Sequence, residues 1–159
     1  MARAYAMELE AHERYALFAE QLDTHNNREV AEMFRKLSHI ESLHAQRILE
    51  EMRWPSVPVL PPAYAWETPE APETAPADAV HYLMQPFHAL EIALKCEQQA
   101  QKYFEDIAAG DVPPTVKRAA LEMADEEREH VQLIRDWIKR VPQPRAGWDD
   151  DPDPPRVTE

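Results

Sequence analysis

The sequence predicts an all-α protein: an antiparallel four-helix bundle made of two helical hairpins joined by a long Pro-rich crossover. Three observations lead there. The 159 residues include only two Gly, too few for a chain of tight hairpins, which argues against a β-sandwich or barrel. The fifteen Pro are grouped: seven fall between Pro55 and Pro76, two form Pro113–Pro114, five lie at or after Pro142, and Pro86 stands alone. Between these breaks lie four long segments rich in Ala, Leu, Glu, Gln and Met, all strong helix formers.

The first helix is expected from Arg3 to Leu22, with an apolar stripe at Ala11, Tyr15, Phe18, Ala19 and Leu22. A polar turn, Asp23–Asn27, leads to a second helix from Arg28 to Met52. Its stripe is Val30, Phe34, Leu37, Ile48 and Met52, and Asn26 or Asn27 suits its N-cap. The third helix is expected from Phe87 to Ala109, with a helical turn at Ala79–Met84 that Pro86 breaks or kinks, and with Gly110 as its stop. The fourth starts at Pro113 or Pro114, where Pro suits the first turn, and ends before Pro142. Short turns within each pair make the pairs antiparallel.

The connection 53–78 is of another kind, Pro-rich with the large aromatics Trp54, Tyr64 and Trp66. The second helix is about 37 Å long at 1.5 Å per residue, and an extended Pro-rich segment covers about 3.1 Å per residue. The connection therefore has the length to cross the whole bundle, and its aromatics suggest that it packs there. The bundle then occupies 1–141, followed by an acidic Pro-rich tail, 142–159, without apolar periodicity and expected to be disordered.

Other features narrow the function. A formal charge of −13 argues against a nucleic-acid surface or an anionic membrane as partner. Clustered Gly for a phosphate-cradling loop is missing, and a single Cys, Cys96, excludes a disulfide framework or a Cys-rich zinc site. No apolar run is long enough to span a bilayer, and Met1–Glu13 lacks a signal-peptide core, so the expected location is the cytoplasm.

Each apolar stripe is interrupted by acid. The core frames place Glu8 on the first helix, Glu41 and His44 on the second, Glu97 on the third, and Glu127 and His130 on the fourth. Buried unpaired carboxylates cost several kcal/mol each, so four of them require a partner cation. Glu-x-x-His by itself is weak evidence: with 20 Glu among 159 residues, about one of seven His would follow Glu at this spacing by chance, and two do. The internal repeat is stronger. Aligning Glu8 with Glu97 also aligns Tyr15 with Phe104 and Phe18 with Ile107. Aligning Glu41 with Glu127 aligns His44 with His130, Leu37 with Met123 and Ile48 with Ile134. Each hairpin thus offers one Glu and then Glu-x-x-His.

One Glu from each of two helices plus Glu-x-x-His from each of the others resembles the di-iron carboxylate constellation of ferritin-like four-helix bundles. Within that superfamily, Met7-Glu8-Leu9-Glu10-Ala11-His12-Glu13-Arg14-Tyr15 is similar to the first helix of rubrerythrin-type proteins. Ala124-Asp125-Glu126-Glu127-Arg128-Glu129-His130-Val131 is similar to their fourth-helix motif. The resemblance covers residues 3–141 apart from the connection. It implies two iron ions, with manganese or a mixed pair possible, in keeping with hard carboxylate oxygens and two imidazoles. It implies that Glu41 and Glu127 bridge, that Glu8 and Glu97 are terminal, and that His44 and His130 bind one ion each. It further implies a redox reaction with hydrogen peroxide or dioxygen.

The same resemblance places a tyrosine near the metals, which suggests Tyr15, and Glu126 could accept a hydrogen bond from a ligand imidazole. Core filling and simple exposure remain the alternatives for these two. Glu10 and Glu13 fall off the core stripe and read as solvated, His12 as a stripe-edge or surface residue, Glu91 as rim, and Cys96 as a small buried residue. His25, His39, His81 and His88 have no repeat partners.

The chain also departs from the family pattern. It has no pair of Cys-x-x-Cys motifs for a rubredoxin-like iron site, so electrons would come from an external donor. Position 100 is Ala where some rubrerythrins carry an additional Glu. A di-iron hydroxylase, an iron-storage protein and a metal-free helical scaffold stay open as alternatives. The prolines of 142–159 deny a cage-forming fifth helix. A homodimer is expected by analogy and from the apolar surface of Trp54, Tyr64 and Trp66.

Overall fold

The structure, a computed structural model, describes residues 1–60, 66 and 70–152. Four helices account for its regular structure: α1 (Ala2–Thr24), α2 (Arg28–Met52), α3 (Pro86–Ala109) and α4 (Pro114–Ile138), with no strand among the described residues. Tyr64 and the last seven positions of the tail lie outside the described residues.

The helix ends follow local chemistry. α1 runs two residues past Leu22, where the Thr24 hydroxyl donates back to the Glu20 carbonyl at 3.0 Å. Asn26 then takes φ 64°, a left-handed conformation that Asn tolerates, and reverses the chain. Asn27 occupies the N-cap position of α2 but makes no side-chain cap. Its amide instead donates to the Met84 carbonyl at 2.7 Å, tying the end of the crossover to the first hairpin. Pro86 is the first residue of α3 and kinks nothing, because its missing N–H costs nothing in a first turn. The expected helical turn before it is absent. Two separate turns stand in its place, one over 76–79 closed by Ala79 N to the Pro76 carbonyl and one over 81–84 closed by Met84 N to the His81 carbonyl. His88 accepts from the Gln85 backbone N–H at 3.0 Å and so closes the start of α3.

Packing is tightest within each hairpin, α1 on α2 and α3 on α4. The buried apolar side chains form two clusters at opposite ends of the bundle. One gathers Tyr15, Phe18, Leu22, Val30, Phe34, Leu90, Ala93 and Ile134. The other gathers Met7, Ile48, Ala100, Phe104 and Met123. Phe34 anchors the first, stacked on Tyr15 at 5.8 Å between ring centroids and edge-on to Phe18 at 5.3 Å. α2 leads from the first cluster to the second, and α3 starts again at the first. The connection therefore does traverse the bundle.

It does so in the groove between α1 and α3. Ala71, Glu73, Thr74 and Ala75 are buried. Arg14 of α1 holds this stretch by an ion pair with Glu70 at 3.1 Å and a hydrogen bond to the Ala75 carbonyl. Trp66 donates its indole N–H to Glu10 at 3.1 Å and meets Tyr103 of α3 edge-on. Glu10 is therefore not merely solvated, contrary to what its off-stripe position suggests. Trp54 and Trp66 are partly buried against the second cluster, so they do not form a free apolar surface.

The tail is described as far as residue 152. Trp148 packs on the first cluster, its ring 3.7 Å from that of His88 and edge-on to His81. A single aromatic anchors an aperiodic segment without any helical pattern to announce it.

Candidate metal centre

Between the two apolar clusters lies a polar layer. Glu8, Glu41, Glu97 and Glu127 are at most 1 % exposed, one from each helix, and His44 is also buried, while His130 is 24 % exposed by its side chain. All six positions fall on the inward stripe of their helices for the same reason as the aliphatic residues around them: they continue its three- and four-residue spacing.

The imidazoles sit among the acids. His44 Nδ1 lies 3.1 Å from Glu41 Oε2, 3.4 Å from Glu8 Oε2 and 3.3 Å from Glu127 Oε1. His130 Nδ1 lies 3.4 Å from Glu97 Oε2 and 3.7 Å from Glu127 Oε2. Glu127 thus turns one oxygen to each histidine, and the two rings stack at 4.8 Å between centroids. These are proximities without hydrogen-bond alignment: both Nδ1 atoms are buried and unpartnered. Both oxygens of Glu8, Glu41 and Glu127, and Oε2 of Glu97, are likewise buried with no hydrogen-bond partner. No Lys or Arg among the described residues forms an ion pair with any of these four carboxylates.

A seventh group, outside the helical frames, joins them. Glu73 of the crossover is 1 % exposed, and neither of its oxygens has a hydrogen-bond partner. Three sets of donor atoms lie within 4.8 Å of one another: Glu8, Glu41, His44 and Glu73; Glu73, Glu97 and Glu127; and His44, Glu127 and His130. No sequence periodicity points to Glu73, because the segment that carries it has none. The available signal is an acid flanked by small residues, Ala71 and Ala75, in a connection long enough to cross the layer.

The electrostatics are those of a cation site. Burial, with the carboxylates of Glu97 and Glu8 nearby, pushes the Glu41 carboxyl up to about 7. Burial raises Glu73 and Glu127 well above the usual carboxylate range in the same way. Burial would lower His44, but the Glu41 and Glu8 carboxylates beside it outweigh that and push it up to about 11. Protons stand where a more concentrated positive charge fits better. Hard oxygens, two imidazoles and the clustering of the donors suit hard or borderline metal ions better than thiolate-seeking ones.

The neighbours sort differently. Tyr15 is fully buried beside the layer, its hydroxyl unpartnered, and burial together with the nearby acids raises it well above its ordinary value, so the phenol keeps its proton. Glu126 does not reach a ligand imidazole. It is partly exposed and pairs with Arg47 of α2, because it lies one residue off the inward stripe. His12 bonds Ser38 of α2, its Nδ1 2.8 Å from the Ser38 carbonyl oxygen and 2.9 Å from the hydroxyl, which joins α1 to α2. Cys96 is buried, and burial pushes its thiol up to about 12, making it unreactive.

A cavity of about 330 Å³ reaches the layer, lined by Glu97 and His130 together with Leu37, Ile40, Leu133, Trp137 and Arg140. Larger cavities of about 420 and 590 Å³ lie along the crossover and touch none of the seven groups.

Comparison with known proteins agrees with this architecture. The Rubrerythrin family model matches residues 1–72, and the Ferritin-like domain model matches residues 86–155. The crystal structure of an uncharacterized conserved protein from Magnetospirillum magnetotacticum MS-1 is similar at a TM-score of 0.67 and 37 % identity, covering 91 % of this chain and 94 % of that one. No curated protein matches. Four helices in two hairpins, with a buried carboxylate–histidine layer between them, make the chain a member of the ferritin-like di-iron superfamily.

Proposed function

We propose that this chain is a non-haem dinuclear redox protein of rubrerythrin type, which reduces hydrogen peroxide or oxidises Fe(II) with dioxygen at the buried layer. The observation that carries the proposal is the layer itself: acids and imidazoles gathered inside the bundle with buried donor atoms that lack hydrogen-bond partners. In this reading Glu41 and Glu127 would be shared between the two metal ions, Glu8 and Glu97 would each hold one, and His44 and His130 would serve one ion each. The ions, iron or manganese, would supply one-electron steps and Lewis acidity at a shared position.

The protein residues contribute the rest. The cavity at Glu97 and His130 gives a small oxidant a path to the layer. Its walls are mostly apolar, with Arg140 as a charged member, and electrons would come from an external donor protein. Tyr15, protonated and buried beside the acids, would serve the layer as a neighbouring proton donor. Leu133 and Trp137, exposed at 65 % and 38 % at the mouth of the cavity, would be covered in a homodimer.

The test is direct. Protein purified without chelators is expected to hold about two iron or manganese ions per chain, to change its optical spectrum when the reduced form meets peroxide, and to elute at the mass of two chains. Protein that takes up no metal removes the proposal, and a single-chain mass removes the dimer. A hydroxylase is the second reading, because a cavity of about 330 Å³ with mostly apolar walls is larger than peroxide requires. Dioxygen consumption that depends on a small apolar compound, with no turnover of peroxide, would favour it.

A further inference from the structure

We propose that Glu73 is itself a ligand of the centre, so that the metal ions are held by the crossover as well as by the four helices. This rests on the dinuclear reading above and goes beyond the six groups that the helical frames supply.

Glu73 sits at the third position of a turn closed by Thr74 N–H to the Ala71 carbonyl at 2.9 Å, and this turn points its side chain into the bundle. Its carboxylate oxygens lie within ligand-sharing distance of two separate sets, Glu8, Glu41 and His44 on one hand and Glu97 and Glu127 on the other. It therefore stands between both halves of the site. A carboxylate buried to this degree is expensive unless paired. The cation that anchors this stretch does not serve it: Arg14 holds Glu70 and the Ala75 carbonyl, on either side of it. Both oxygens of Glu73 are unpartnered. The chain is thus pinned on each side of an acid whose own charge is answered by no cation among the described residues, the arrangement expected of a ligand and not of a structural salt bridge.

Two consequences follow. Five carboxylates carry five negative charges, so two divalent ions leave the centre one charge negative, whereas two trivalent ions do not. The crossover is also ordered by the metal, because residues 70–76 gain a bond to the ions on loading.

Titration of the full-length metal-free protein with Co(II), read by visible absorption, tests the idea, with Glu73→Gln as the variant. The wild type is expected to bind two Co(II) per chain. The variant should keep its helical circular dichroism, bind one of the two ions at least tenfold more weakly, and show an altered visible band. Metal loading should slow amide exchange across 70–76 in the wild type and much less in the variant. Glu73→Asp, which keeps the charge on a shorter arm, should fall between the two. A Glu73→Gln protein with wild-type affinity for both ions and an unchanged band overturns the proposal. So does one that fails to fold without metal, since an unpartnered acid cannot be what holds the metal-free fold together. If the wild type itself does not take up two ions, the dinuclear reading fails, which is a distinguishable result.

Discussion

Glu41→Gln and Glu127→Gln are each expected to abolish tight metal uptake while leaving the metal-free protein as stable as the wild type or more so. Both acids are fully buried, and their oxygens have no hydrogen-bond partner among the described residues. Glutamine keeps the volume, so no cavity opens, and it removes a charge that burial penalises. Outer-shell partners of metal ligands typically cost about 10–100-fold in affinity when replaced. Loss of a shared ligand should exceed that, and elemental analysis after dialysis should find less than one ion per chain. The melting temperature of the metal-free variants is the second readout, and it separates ligands from structural acids. A structural acid would lower it on replacement, whereas these two should hold or raise it. Full metal content in both variants would remove them from the centre. Glu13→Gln, an exposed change on the same helix as Glu8, serves as the neutral control.

The second large effect is on stability as a function of pH, with opposite signs for the metal-free and loaded forms. The Glu41 carboxyl is raised from 4.5 to about 7, so the folded state binds its proton more tightly than the unfolded chain does. The stability this contributes is present in full below about pH 4.5 and is lost as pH rises through 7. His44, raised from 6.5 to about 11, adds in the same direction: its contribution is present below 6.5 and lost as pH climbs towards 11. The metal-free protein should therefore melt at a lower temperature at pH 8 than at pH 5.5. Between pH 5.5 and its folded value of about 7, Glu41 alone accounts for on the order of 2 kcal/mol. At about 2–4 °C per kcal/mol for a domain of this size, the drop is roughly 4–8 °C.

Loaded protein should behave differently, because protons and metal ions compete for the same oxygens. The stabilisation by added metal should grow with pH, reaching about 4 kcal/mol per site at a free concentration 1,000 times the dissociation constant. Calorimetry of both forms at pH 5.5 and pH 8 checks this. A metal-free melting temperature that is flat or rising over that interval would contradict the electrostatic picture of the layer.

The helices are legible in the sequence because their information is local. Arg28–Met52 and the end of α3 at Ala109 follow from stripe spacing and from the residues that stop a helix. The inward set Glu8, Glu41, His44, Glu97, Glu127 and His130 stands out because acids in aliphatic positions are costly without a cation, and here they recur twice in the same order. The structure brings these six together between its two apolar clusters. Tyr15 likewise lies beside them. Glu126 does not join an imidazole as its neighbourhood in sequence suggests, since a shift of one residue along α4 turns its side chain to Arg47 on the surface.

What the sequence by itself determined is therefore the part that repeats: four amphipathic helices, their pairing into hairpins, and a carboxylate–histidine frame carried on a period of 3.6 residues. Only the tertiary structure decided how the aperiodic segments join that frame. Glu73 enters the layer because Arg14 holds the crossover between α1 and α3. Glu10 meets Trp66, and Trp148 closes over His88. In a Pro-rich segment no backbone repeat tells inward from outward residues. The side that faces the core is set by partners up to about sixty residues away along the chain, which become neighbours only once the bundle has formed.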